Sequence, residues 1–237
     1  MKKSTKILLG FLFGIIALFW FYPFIIVIIN ALKGKRGIFQ NPLWFTRDFT
    51  FSNFKTAYQA LDFTSSFFNS LVITVASVIV ITLVSAVAAY ALSRVKGPFS
   101  SILYYLCAGT MLIPFQSIMI PLLSLFGKVN FLNRTSLVIM NTGLSVSLSI
   151  ILFYGAFQGV SKTLDEAAAL DGAYPFKTFV YIIFPAVSPM TGTVVILNAM
   201  KIWNDYLLPS LVVNKDGMYT IPLKMYSFFG ETNSQWQ

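Results

Sequence analysis

The chain has 237 residues, of which 57% are hydrophobic and 11% charged, with a mean hydropathy of +0.75. A soluble domain carries about 25% charged residues, and here every Asp, Glu, Lys and Arg avoids five stretches, 7–29, 67–92, 99–126, 135–157 and 178–200. The net charge is +9, yet the cations are scattered among the connecting segments and form no basic stripe, which argues for membrane-flanking charge and against nucleic acid.

About 20 helical residues cross a hydrocarbon core of roughly 30 Å, so each of the five stretches is long enough to span. Backbone polar groups in lipid must be satisfied within the segment, which makes those spans helices. The expected fold is therefore all-α, a polytopic helical membrane protein. The first stretch follows Lys2, Lys3 and Lys6. It is too long for a signal-peptide core and lacks a good cleavage site, so it reads as an uncleaved anchor. Residues 30–66 read as a loop broken by Gly34, Gly37 and Pro42, with one short surface helix near Asn53–Leu61.

Small residues collect in the second span (Ser85, Ala88, Ala89, Ala91) and in the fourth (Ser145, Ser149), where they allow close helix approach. Pro114 and Pro121 in the third span and Pro185 and Pro189 in the fifth predict kinks or breaks. Asn141, Asn198 and Gln116 are uncharged polar groups within spans, suited to interhelical hydrogen bonds; Asn141 is also a candidate for the solute pathway. The single cysteine, Cys107, falls within the third span and reads as a small packing residue. There is no histidine, which excludes imidazole metal sites and His-based triads, and the sequence offers no metal site.

Charge does not fix the orientation. With the N-terminus cytoplasmic, Lys2, Lys3, Lys6, Arg94, Lys96, Lys162 and Lys177 face inward and the other ten of the 17 cations face outward, against the positive-inside rule.

The connection Gln158–Lys177 reads QGVSKTLDEAAALDGAYPFK. Thr163-x-x-Glu166 has the form of a capping box, and Asp165 and Glu166 suit the positive end of a helix dipole. Gly172 suits a left-handed C-terminal cap and Pro175 the first turn of a second helix. Capping signals alone predict a helix–Gly–helix element at the membrane surface, and by themselves they favour a plain, well-capped turn between spans.

Glu166-Ala167-Ala168, then Gly172, then Ile182-x-Phe184-Pro185 resembles the EAA motif of binding-protein-dependent ABC importer permeases; Phe184 stands where the usual pattern has Leu. Asn69-Ser70, AAYALSR at 88–94, IPFQSIMIP at 113–121 and WNDYLLPSLVV at 203–213 extend the resemblance to carbohydrate permeases of the MalG-like type. The resemblance implies a single transmembrane domain over 1–237 within a six-span core. Five spans are visible, and the resemblance implies a sixth after Gln237. It also implies a bacterial cytoplasmic membrane location, both termini cytoplasmic, and a cytoplasmic coupling loop at 158–177.

In such a loop Glu166, Ala167, Ala168, Asp171, Gly172 and Pro185 form the coupling element, with Ala167, Ala168 and Ala169 permitting close contact with the ATPase. The implied partners are a second homologous permease in a heterodimer, an ATPase dimer that binds ATP and Mg, an extracellular solute-binding protein, the lipid bilayer and a sugar. The chain has no Walker-type glycine loop, so it binds no cofactor and catalyses no chemistry itself. Trp203, Asn204, Asp205 and Tyr206 are candidates for sugar contact; the same residues also fit an interfacial belt. A polyol or glycerophosphate is an alternative solute, and a membrane-embedded enzyme or sensor a remote one.

Overall fold

The computed structural model describes residues 3–228, and these are helical with no β-strand among them. The described residues divide into two compact units, one built on residues 3–64 together with 227–228, the other on Ser65–Tyr226.

In the first unit, α1 (Lys3–Ala31) is long and apolar enough to span and is exposed along nearly its whole length. Residues 30–66 are more ordered than the expected loop. They hold α2 (Lys35–Gln40), α3 (Ser52–Ala60) and a β-bridge between Lys33 and Phe49. Gly34 lies at the break between α1 and α2, whereas Gly37 lies inside α2 and breaks nothing. They let Asp48 approach: a Cβ on Gly34 would stand 2.6 Å from its carboxylate, and Asp48 accepts the Gly37 amide at 3.1 Å. Lys33 is buried, with its ammonium donating to Asn30 Oδ1 and the Asn41 carbonyl.

In the second unit, α4 (Phe63–Arg94, which begins in the first unit) and α7 (Arg134–Gln158) are unbroken spans. A capping box forms at the start of α7, where Asn133 accepts the Ser136 amide and the Ser136 hydroxyl accepts the Asn133 amide, both at 3.0 Å. That pair satisfies two of the amides a helix start leaves without partners.

The third and fifth stretches differ from single straight spans. The third is a bent pair, α5 (Pro98–Thr110) and α6 (Phe115–Lys128), at 103°. The break falls at 111–114 and Pro114 caps α6, whereas Pro121 lies inside α6 without interrupting it. The fifth runs through α9 (Pro175–Thr178), a π-turn (Phe179–Ile183) and α10 (Phe184–Ala186), then bends 79° at Val187 into α11 (Ser188–Asn204). Pro185 cannot donate to its i−4 carbonyl and crowds it, and the wider π-turn directly upstream accommodates that loss. α12 (Leu207–Val212) and α13 (Ile221–Phe228) close the described chain.

Two apolar cores run through this unit. One joins Ile73, Val78 and Ile81 of α4 to Leu137 and Met140 of α7 and to Ile202, Leu208 and Val212. The other joins Ala86 and Ala89 of α4 to Phe153 and Phe157 of α7 and to Phe179, Ile183 and Val194, with Cys107 packed at its edge. Each long helix contributes its first half to one core and its second half to the other, or the reverse. The unit therefore has an Arg94 end and an Asn69 end, and α5–α6 runs from the former to the latter.

Candidate functional site

At the Arg94 end, the 158–177 connection folds into α8 (Thr163–Leu170), a turn and α9. Gly172 has φ +79°, a conformation that costs an L side chain about 1–2 kcal/mol. Its amide donates to the Ala169 carbonyl at 3.0 Å and the Ala173 amide to the Ala168 carbonyl at 2.9 Å. These are the paired bonds of a Schellman cap, which satisfy carbonyls that the end of α8 would otherwise leave open. Pro175 then opens α9 at its first turn, where the missing N–H costs nothing.

The capping box expected at Thr163 and Glu166 does not form. α8 starts one residue earlier, with Lys162 at the cap position and no side-chain cap. The Thr163 hydroxyl pairs with Ser161 Oγ at 2.8 Å, while the Glu166 amide donates to the Lys162 carbonyl at 3.1 Å as in an ordinary helical turn. The Glu166 side chain is therefore exposed rather than folded back on the backbone.

Asp165 holds α8 in place. Its carboxylate lies 2.9 Å from Arg94 Nη2 and accepts the Tyr90 hydroxyl at 2.5 Å. Arg94 also donates to the Phe157 carbonyl at 3.1 Å and the Val160 carbonyl at 3.4 Å, tying together the ends of α4 and α7. The Tyr90 ring packs on Phe157 and Phe179, with ring centroids 5.8 and 5.1 Å away, so the hydroxyl is aimed from a fixed platform. Tyr90 and Arg94 are four residues apart and share one face of α4. Sequence reasoning missed all three mooring residues as site residues, although the Tyr-x-x-x-Arg spacing at a span's end was a readable signal. Beside this mooring, a cavity of about 560 Å³ is lined by Tyr90, Arg94, Lys162, Glu166, Phe176 and Phe179.

Beyond this mooring the surface of the loop is open. Leu170 is 91% exposed, Tyr174 79% and Phe176 72%. Glu166, Ala167, Ala169, Asp171 and Gly172 are exposed as well, and Pro185 lies exposed on α10. Ala168 is the exception among the alanines: it is buried on the inner side of α8 and packs the loop. α8 is thus anchored by an ion pair and presents apolar and acidic groups at its surface.

Residues 81–235 match the family described as binding-protein-dependent transport system inner membrane component. The chain belongs to that family. It is 46% identical over 231 residues to a probable starch degradation products transport system permease protein, AmyC, of Thermoanaerobacterium thermosulfurigenes, covering 98% of this chain and 84% of that one. It is 35% identical to the multiple sugar-binding transport system permease protein MsmG of Streptococcus mutans, over 88% of this chain and 76% of the relative. It is 32% identical to the melibiose/raffinose/stachyose import permease protein MelC of Bacillus subtilis, over 97% and 83%. A crystal structure of a bacterial ABC transporter involved in the import of the acidic polysaccharide alginate contains a chain that superposes with a TM-score of 0.78 at 26% identity, covering 96% of this chain and 81% of that chain. The protein is thus a multi-pass membrane permease, and its helical fold is that of an ABC transporter subunit.

At the Asn69 end of the permease, the residues singled out for solute contact have structural partners. Trp203 packs edge-on against Phe67, with centroids 5.8 Å apart. Asn204 donates to the Met200 carbonyl at 2.7 Å. Asp205 accepts the Leu207 and Leu208 amides at 2.9 and 3.4 Å and so caps α12. Burial pushes the Asp205 carboxyl above its ordinary range, an effect opposed by those two amides and by Lys201. Tyr206 stacks on Tyr226 at 4.3 Å. Asn141 is buried within α7, away from this turn in sequence and not joined to it by a hydrogen bond. A clamp completes this end: Asn69 donates to the Gly217 and Tyr219 carbonyls at 3.0 and 2.9 Å, Ser70 accepts the Ile221 amide at 2.9 Å, and Arg134 donates to the Gly217 carbonyl.

Proposed function

We propose that this permease is one half of the translocation pathway of an ATP-driven importer for a sugar or oligosaccharide, and that α8 is its contact with a separate ATPase. The observation that carries the coupling assignment is the mooring of α8 by Asp165 to Arg94 at 2.9 Å, with Leu170 and Tyr174 exposed and Glu166 exposed at the adjoining cavity. Closure of an ATPase dimer against that face moves α8, and the ion pair passes the movement to α4 and, through the Phe157 carbonyl, to α7. ATP and Mg belong to the ATPase, and the permease carries out no chemical step.

On this reading the Arg94 end and the N-terminus are cytoplasmic, the Asn69 end faces an extracellular solute-binding protein, and residues 1–237 belong to one transmembrane domain in the bacterial cytoplasmic membrane. A second, homologous permease supplies the other half of the pathway as a heterodimer. Carbohydrate is the preferred solute because AmyC, MsmG and MelC are named for starch degradation products, multiple sugars, and melibiose, raffinose and stachyose. Reconstitution with the second permease, the ATPase and the binding protein tests the reading. Saccharide uptake that requires ATP and the binding protein supports it, and ATPase activity unaffected by loaded binding protein contradicts it.

A further inference from the structure

A polar seam joins α7 to α11 inside the second unit. Ser149 donates to the Ser145 carbonyl at 3.0 Å, and the buried Asn198 amide donates to Ser149 Oγ at 3.0 Å and to the Val194 carbonyl at 2.8 Å. Lys201 completes the seam. Its ammonium donates to Ser145 Oγ at 3.0 Å and to the Leu144 carbonyl at 3.4 Å. The charge-free stretch 178–200 ends one residue before this lysine, so the sequence placed it in an external segment, but it lies in the last turn of α11.

Its depth is the first clue. Ser145 stands roughly 16 Å along α7 from Arg134, in a helix roughly 37 Å long at 1.5 Å per residue. A lysine near the end of a span ordinarily runs its stem outward and leaves its charge in water. Lys201 instead reaches across to α7. The second clue is what surrounds the charge. Asp205 feels it electrostatically, but among the described residues no carboxylate stands within ion-pair distance of its ammonium. Two of the three ammonium N–H donors are taken by Ser145 and Leu144, and the residue is exposed on the surface of this chain. Facing lipid, such a charge costs about 2.5–3.5 kcal/mol at mid-membrane. The charge is tolerated where water or an oxygen-rich solute meets it.

We infer that Lys201 lines the solute pathway and that its remaining N–H donates to a hydroxyl oxygen of a passing saccharide, with Ser145 holding the ammonium in place. The inference rests on the importer reading above and names a solute contact in a helix position that composition had assigned to the outside. An ammonium fixed by one hydroxyl and one carbonyl is a directed donor. It suits a solute rich in acceptor oxygens and needs no negative charge on it.

The test uses the full transporter with its partner permease, ATPase and binding protein, carrying Lys201→Cys in a Cys107→Ser background. A water-soluble, membrane-impermeant thiol reagent is added from the binding-protein side, with and without maltotriose, in the resting and vanadate-trapped states. Labelling in the trapped state, slowed severalfold by loaded binding protein, is expected. No labelling in either state places Lys201 against lipid or the partner subunit and overturns the inference, as does labelling that solute does not alter. Lys201→Met is expected to lower maltotriose uptake about tenfold, the weight of one hydrogen bond to a charged group, and Lys201→Arg to retain most of it. Unchanged uptake by Lys201→Met also overturns the inference. If the wild-type complex does not transport maltotriose, the choice of that saccharide as solute fails separately, and reagent access to position 201 in the trapped state alone decides whether Lys201 lines the pathway.

Discussion

The Arg94 guanidinium and the Asp165 carboxylate stand 2.9 Å apart, joining the last turn of the span α4 to the short helix α8 that follows the span α7. Both side chains are largely enclosed, at 14% and 22% exposure, so removing one leaves the other short of a partner in a poorly solvated place. Such a loss costs on the order of 2 kcal/mol. Asp165→Arg and Arg94→Asp are each expected to lower coupled uptake tenfold or more while the protein still inserts. The double exchange restores the pair and is expected to recover much of the activity. A double variant no better than either single one would show that the ion pair is not the mooring.

Gly172 and Gly143 provide a matched contrast. An added Cβ meets nothing within 4 Å at either position, but only Gly172 has a positive φ, +79°. Gly172→Ala is therefore expected to destabilise the α8–α9 turn by about 1 kcal/mol, whereas Gly143→Ala, inside α7, is expected to be neutral or to stabilise by up to about 1 kcal/mol. Thermal unfolding in detergent, together with uptake, separates the two.

The clamp at Asn69 predicts a local effect. Replacing Asn69 with Leu removes the donor to the Gly217 and Tyr219 carbonyls while keeping comparable bulk. The segment 214–220 is expected to exchange its amides faster, with protection within α7 unchanged. Equal exchange in the variant and the parent would show that Arg134 and Ser70 hold the segment unaided.

Asn198 and Ser149 form a buried interhelical bond at 3.0 Å. Bonds of this kind within membranes average about 0.6 kcal/mol, because the unfolded helices also find partners. A double-mutant cycle with Asn198→Ala and Ser149→Ala is expected to return a coupling of that size. A value above about 2 kcal/mol would mean that the seam is tuned beyond ordinary helix packing.

The helical architecture was legible because lipid forces charge out of spans, and the five stretches lie on helices apart from the breaks at 111–114 and Val187. The helix–Gly–helix form of 163–178 was legible for a similar reason: Gly172 and Pro175 act through their own backbones. Four features were not legible. The capping box moved from Thr163 to Asn133, since both sites carry suitable side chains and the three-dimensional path of the chain decides between them. The breaks at 111–114 and Val187 fall beside prolines, yet Pro121 breaks nothing, so proline marks where a bend is permitted without fixing it. Asp165 was passed over because its partners, Tyr90 and Arg94, lie more than 70 residues away in sequence. Lys201 was placed outside by a boundary drawn on charge, although the helix continues past it to Asn204.

The most direct test of the account is co-purification of the ATPase with the complete complex carrying Leu170→Asp or Glu166→Ala, both on the exposed face of α8. The account predicts that the permease still inserts and pairs with the second permease, while bound ATPase and coupled uptake fall together, more sharply for Leu170→Asp. Full retention of the ATPase and normal uptake in both variants would contradict it and would remove α8 as the coupling contact.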